Sequence, residues 1–303
     1  MTEATLGQLF ALGSAVCFAL SNVFISKGST GKGDRGVIFS VLVTLVFSFM
    51  LWLLIDGGKI EVETDEAMFK GVLWFALAGL FAMVLGRSFM YASFRFLGVT
   101  RASTLKKATP FFSVLLAFVL LGETLSSLNI VGMVLIAVAF GILSRKSFQK
   151  IPPEEKELTP ALVDYSWGLA AAVSYGMSFV TRKYGLMYIA SPALGTMISA
   201  SVGFLFFLVA AIFSRQYRDN MRNLFSNLNR WLVLAAIFVS SGQILIFAAL
   251  SYETVSTVVI ISSLEVFLAS FLAVVIFKTE KRPGFDVYLA ASIAVAGAIF
   301  VAL

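Results

Sequence analysis

The sequence contains no histidine in 303 residues and a single cysteine, Cys17. Without histidine the chain lacks the commonest transition-metal ligand and the side chain that titrates near neutrality, so HExxH-type chemistry and histidine proton relays are excluded. One cysteine cannot close an internal disulfide, nor can it supply a CxxC motif or a Cys-His couple. A GxxxxGK[ST] phosphate loop is also missing, which removes direct ATP drive from this chain. Charge is scarce, at 13% of residues against 59% hydrophobic. With a mean hydropathy of +0.93, that balance excludes a soluble globular domain and makes the bilayer the solvent. No cofactor and no metal site is expected, and an intramembrane enzyme has no constellation to build on.

What is present is a succession of apolar runs. Ten have roughly spanning length, at residues 7–26, 37–55, 71–93, 102–121, 127–144, 166–184, 193–213, 231–250, 255–277 and 284–303. Short polar or Gly/Pro-containing connections separate them. No basic stretch precedes the first run, so it reads as a retained helix rather than a cleaved secretory signal. The longest connection, Arg145 to Tyr165, carries Pro152, Pro153 and an acidic run from Glu154 to Glu157. It divides the segments five and five.

The two halves repeat. A shift of 157 residues lays Ala15-Val16 on Ala172-Val173, Ser21 on Ser178, Trp74 on Trp231 and Glu123 on Glu280. It also lays Ile136-Ala137-Val138-Ala139 on Ile293-Ala294-Val295-Ala296, and a two-residue slip near the fourth and ninth segments fits almost as well. Because five is odd, the second copy enters the membrane from the opposite side and the repeats are inverted. The expected fold is therefore all-α and polytopic, with ten transmembrane helices as two inverted five-helix repeats. Residues 1–146 form the first repeat, 147–165 the polar connection and 166–303 the second.

The net charge of +6 comes from basic residues scattered through short connections, a pattern of membrane topology and not of nucleic-acid binding. With the termini outside, sixteen of the 23 Lys and Arg residues flank the cytoplasmic side. Four (Lys59, Lys70, Arg182 and Lys183) flank the other side, and three lie within the third and fourth segments. Charge alone turns both termini outward.

The fourth segment concentrates the polar chemistry. Lys106 and Lys107 sit inside a run of spanning length, where a lysine at the bilayer centre costs roughly 2.5–3.5 kcal/mol unless it faces a cavity, a partner or the interface. Ser103, Lys106, Pro110, Ser113 and Ala117 follow helical spacing on one small, polar stripe, so Lys106 is expected to look inward. Lys107 lies on another face and is expected to snorkel or meet a neighbouring helix. In the ninth segment Ser262, Glu265, Ala269 and Ala273 form a similar stripe. The repeat makes Glu265 equivalent to Ala108 or Pro110, facing the same cavity. Glu265 neutralises Lys106 as a buried ion pair, binds a substrate ammonium while Lys106 takes the carboxylate, or carries a proton; the sequence leaves these three open.

The ten-helix inverted arrangement carries a small-residue–Glu pair after the fourth helix of each half, Gly122-Glu123 and Thr279-Glu280. With the run Pro110-Phe111-Phe112-Ser113-Val114-Leu115-Leu116 and Leu121-Gly122-Glu123, it resembles the EamA branch of the drug/metabolite transporter superfamily over nearly the whole chain. The resemblance implies alternating-access transport of a small metabolite through a central cavity, and implies cytosolic termini, against the charge count. Lys106 with the Pro110 run and Gly122-Glu123 is also similar to the fourth helix of triose-phosphate translocators, which implies a phosphate-binding role for Lys106 alone. Where those transporters carry a Lys-Arg pair in the ninth helix, this chain has Ile260-Ile261-Ser262-Ser263-Leu264-Glu265.

Further candidate substrate contacts are Arg87, which shares a face with Met83, Tyr91 and Phe94; Tyr91 and Tyr175 as aromatic walls; and Ser262, Gln243 and Asn22 as hydrogen-bonding groups. Each also has a packing role open to it, since small polar side chains commonly join membrane helices. The expected function is secondary transport of a small polar metabolite with a carboxylate or phosphate, an amino acid or related zwitterion being favoured. A lipid or lipid-linked phosphate flippase and a sugar-phosphate antiporter are the alternatives. The expected partners are the metabolite, the bilayer, and a coupling proton or counter-substrate, with no nucleic acid; homodimerisation is left open. The short loops favour a bacterial or archaeal inner membrane.

Overall fold

The computed structural model describes residues 2–28, 35–62, 64–149, 160–226, 228–277 and 285–302. Ten long helices run through them. In the first half α1 spans Glu3–Gly28, α2 Arg35–Ile55, α3 Asp65–Leu97, α4 Val99–Leu121 and α5 Ser127–Gln149. In the second, α6 spans Tyr165–Tyr188, α7 Pro192–Phe213, α8 Arg230–Tyr252, α9 Val255–Ile276 and α10 Phe285–Ala302. Among the described residues nine of these are long and apolar enough to cross a membrane. The tenth, α6, is 24 residues long but less apolar, because Ser174, Ser178, Thr181, Arg182 and Lys183 lie within it. Its surroundings explain the difference: α6 packs on α3, α4, α8 and α9, so protein replaces much of the lipid around it.

Local chemistry starts the helices where the apolar runs begin. Thr64, Ser191, Asn229 and Thr254 accept hydrogen bonds from the backbone N–H groups of Ala67, Leu194, Leu232 and Thr257, at 3.2, 3.1, 3.0 and 3.2 Å, capping α3, α7, α8 and α9. Pro192 follows Ser191 at the first position of α7, where its missing N–H is no loss. α5 continues through Gln149, into the stretch that hydropathy alone reads as connection. Thr279 and Glu280, the second small-residue–Glu pair, lie outside the described residues.

The halves exchange equivalent contacts. α1 packs on α8 and α9 as α6 packs on α3 and α4, while α2 meets α7 and α5 meets α10. Both termini lie on one side: Gln8 Nε2 donates to the carbonyl of Ala302 and to Glu253 Oε1, at 3.3 and 3.2 Å. On the opposite side the Asn229 amide donates to the Gly28 carbonyl at 3.0 Å, and Lys27 Nζ lies 4.6 Å from the ring centres of both Trp231 and Phe277.

The largest apolar cluster occupies the termini side. Ala11, Phe75, Ala117, Val180, Ile189, Leu194, Phe247, Leu250 and Val255 come from the ends of seven helices and are buried there. The opposite half holds separate, smaller clusters, one around Met90, Ala102 and Ala171 and another around Ile38, Val41 and Phe207. The termini side is thus packed by apolar side chains.

One sequence expectation is corrected. Arg182 does not flank the membrane; it is 4% exposed within α6, and Lys183 beside it reaches across to α8. Helices α4 and α9 are each interrupted, with first parts Val99–Lys106 and Val255–Ser262 and second parts beginning at Thr109 and Glu265. Both pairs of starts differ by 156 residues (255 − 99 and 265 − 109), between the two offsets the repeat allows, so the breaks of α4 and α9 correspond.

Candidate functional site

The interruptions have distinct chemical causes. In α4, Pro110 has no N–H to offer the carbonyl of Lys106, and the Thr109 hydroxyl donates to that carbonyl instead, at 2.7 Å. The chain tightens ahead of it, with Lys107 N–H on Thr104 O at 3.1 Å and Ala108 N–H on Leu105 O at 2.9 Å. No proline breaks α9. There the Ser262 hydroxyl donates to Val258 O and the Ser263 hydroxyl to Ile260 O, while Leu264 N–H bonds Ile261 O at 3.1 Å. Serine back-bonding of this kind competes with the regular ladder and bends helices. Beyond each interruption the helix ends in a π-helical turn, Ala117–Leu121 in α4 and Leu272–Ile276 in α9. Discontinuous helices in corresponding positions of two inverted repeats are the architecture in which transporters build their midplane sites.

Lys106 and Glu265 stand at these interruptions. The Lys106 side chain is exposed to an accessible space, and its Nζ lies 5.3 Å from the ring centre of Tyr175 on α6, a cation–π geometry. Tyr175 in turn covers Gly86 of α3: a Cβ there would come within 3.0 Å of the Tyr175 ring. Glu265 is half-buried. Lys106 is the charge that acts on it, but the two do not meet as an ion pair. Among the described residues Lys70–Glu66 is the salt bridge within 4.0 Å, and no hydrogen bond engages the Glu265 carboxylate. The two charges are therefore left unpaired with each other.

A second group of candidates lies apart from the first. Arg87, Ser88 and Tyr91 of α3, Phe206 of α7, and Gln216 and Tyr217 of the short helix Arg215–Arg222 line a cavity of about 380 Å³ on the side away from the termini. Arg87 Nη1 is buried without a partner, Nη2 makes a long contact of 3.9 Å to Met83 Sδ, and the guanidinium lies 5.5 Å from the Phe207 ring.

The structure therefore brings Lys106 onto Tyr175 and sets Glu265 at the corresponding break of α9, with Ser262 one turn before Glu265 and committed to its own helix. It sets Arg87 and Tyr91 in the separate cavity. Asn22 is exposed on α1 and Gln243 half-buried on α8, and among the described residues no hydrogen bond joins either to Lys106 or Glu265. Lys107, half-buried, lies off the Tyr175 contact.

Sequence reasoning missed two features. Gln216 and Tyr217 complete the Arg87 cavity from a helix too short and polar to register as a membrane segment. Arg182, counted among the charges flanking the membrane, is buried against Phe247 of the termini-side cluster; its place inside the apolar run 166–184 was the available signal.

Interrupted helices at corresponding places in two inverted repeats, with a lysine at one break and a glutamate at the other, define an integral, multi-pass membrane protein with the architecture of a transporter. The EamA-like transporter family model matches residues 5–145 and 163–303, and the chain belongs to that family. A crystal structure described only as that of a protein aligns with 98% of this chain and 98% of its own, with a TM-score of 0.73 at 14% identity, and so shares the fold. The comparison with curated proteins returns no match.

Proposed function

We propose that this protein is a secondary transporter of a small polar metabolite bearing a carboxylate or phosphate, working by alternating access around the interruptions of α4 and α9. An amino acid or related zwitterion is the favoured solute. The observation that carries this reading is the placing of Lys106 and Glu265: a cation and an anion at corresponding breaks of α4 and α9, not joined to each other. A zwitterion supplies the carboxylate for Lys106 and the ammonium for Glu265, and each charge then gains a partner in a site of low dielectric constant. Tyr175 holds the Lys106 ammonium in position and walls the site. Apolar packing of the termini side, with Lys106 accessible, supports a state loaded from the opposite side. A bacterial or archaeal inner membrane is the proposed location.

The unpartnered Arg87 Nη1 in its cavity supports a second reading, capture of a phosphate headgroup for flipping of a lipid or lipid-linked phosphate. Counterflow in proteoliposomes separates the two. Radiolabelled amino acids, succinate, a sugar phosphate and a neutral sugar would be tested beside a fluorescent phospholipid. Trans-stimulated uptake of an amino acid or another anionic solute supports the transporter, phospholipid movement alone supports the flippase, and uptake confined to the neutral sugar contradicts both.

A further inference from the structure

Arg182 has no acidic partner in the place where it is buried. It is 4% exposed, against the apolar cluster of the termini side, and its Nε is sealed without a hydrogen bond. Among the described residues no carboxylate lies within 4.0 Å of it, and no hydrogen bond engages its guanidinium. Its neighbours are aromatic: the guanidinium carbon lies 4.9 Å from the ring centre of Phe247, itself 1% exposed, and 5.5 Å from that of Phe179. Phe75 packs edge-on against Phe247, with centroids 5.8 Å apart, and completes the cover. The adjacent Lys183 shows what a structural cation looks like in this helix. Its ammonium donates to the carbonyls of Leu250 and Glu253 at 2.7 and 2.9 Å, at the C-terminal end of α8. Arg182 does nothing comparable.

An arginine presents five N–H donors in a rigid fork suited to carboxylate or phosphate, and stacking on phenylalanine satisfies none of them. A buried charge lacking an anionic partner is destabilising, and ionisable groups within membrane helices mark solute pathways. We propose that Arg182 is an anion-binding group of the transport path, which receives the carboxylate or phosphate of the solute when the termini side opens and is shut under Phe247 and Phe179 when that side closes. Lys106 and Arg182 then serve the same anionic group from the two sides of the membrane. This inference rests on the transport reading above and adds the residue that serves the termini side.

The test uses the full chain in liposomes and an arginine-directed reagent, phenylglyoxal, with modification of Arg182 read by peptide mass spectrometry. Two probe anions, inorganic phosphate and succinate, are compared with sodium chloride at equal ionic strength. The expected result is steady labelling of Arg182, slowed about threefold when a probe anion stands at twice its Kd. Protection by phosphate alone assigns a phosphorylated solute, and protection by succinate alone a carboxylate. Failure of Arg182 to label, or labelling that neither anion slows, overturns the proposal. A second measurement, on Arg182→Met, reads the thermal midpoint of the ligand-free protein. A midpoint equal to or above that of the parent supports a binding role, and a lower one shows a structural plug. The Lys106 site is assayed separately by counterflow, so intact counterflow with an inert Arg182 removes this inference and leaves the transport reading standing.

Discussion

The Glu123 carboxylate at the end of α4 accepts hydrogen bonds from the backbone N–H of Val255 at 2.6 Å and of Ser256 at 3.0 Å, the first residues of α9. The Ser256 hydroxyl adds a third, at 2.7 Å. Gly122, with φ of +66°, turns the chain out of α4 so that the carboxylate can reach, and the negative charge complements the positive end of the α9 dipole. Lys183 treats the other end of the same turn alike, through the C-terminal carbonyls of α8. Replacing Glu123 by Ala removes three charge-assisted bonds and is expected to cost about 2 kcal/mol, with Lys183→Met costing about half as much. Thermal unfolding in detergent reads both, and an unchanged midpoint for Glu123→Ala would show that the cap contributes nothing.

Gly122 itself gives a second prediction. A Cβ there meets no atom within 4 Å, so space is ample and the only penalty is the left-handed backbone. Gly122→Ala is expected to lose about 1 kcal/mol and Gly122→Val more, while Gly122→Asn stays close to the parent. Equal losses for Ala and Asn would point to packing instead.

The α5–α10 contact depends on close backbone approach. A Cβ on Gly132 would stand 2.3 Å from Val301 Cγ2 and 2.5 Å from the Gly297 carbonyl oxygen, and one on Gly297 would stand 2.8 Å from the Gly132 carbonyl. The backbone partner cannot swing aside as a side chain can. Gly132→Ala is therefore expected to destabilise by about 1–3 kcal/mol, with Gly132→Leu worse. Gly141 on the same helix has nothing within 4 Å, and its Ala variant is the matched control, expected to be neutral or slightly stabilising.

Tyr175 is expected to act through its ring. Tyr175→Phe keeps the cation–π contact with Lys106 and should leave solute affinity within about twofold, whereas Tyr175→Ala forfeits about 1 kcal/mol, a fivefold loss. A larger effect of Phe than of Ala would move the role from the ring to the hydroxyl.

Hydropathy and the repeat made the ten-helix inverted fold legible before any coordinates, because a membrane helix must satisfy its backbone internally and over a fixed length. Pro110 announced the interruption of α4. The interruption of α9 had no such signal, since Ser262 and Ser263 bend it through hydroxyl bonds that serines elsewhere make without consequence; Ser201 in α7 is one, donating to Met197 O at 2.8 Å within an unbroken helix. Arg182 was misread because counting charges near segment ends treats a basic residue as interfacial, whereas α6 is enclosed by its neighbours and carries its polar residues inward. The meeting of Lys106 with Tyr175 required the helix crossing, which no linear pattern encodes.

The most direct measurement is the thermal stability of the purified protein against amino acids, carboxylates, sugar phosphates and neutral sugars, repeated with Lys106→Ala and Glu265→Gln. A ligand that binds only the native state stabilises it by RT ln(1 + [L]/Kd), about 2.7 kcal/mol at a hundredfold excess over Kd, and so raises the midpoint. The expected result is a shift with zwitterions or another charged solute that both substitutions abolish. Shifts that persist in both variants, or that arise only from neutral sugars, would contradict a binding role for Lys106 and Glu265.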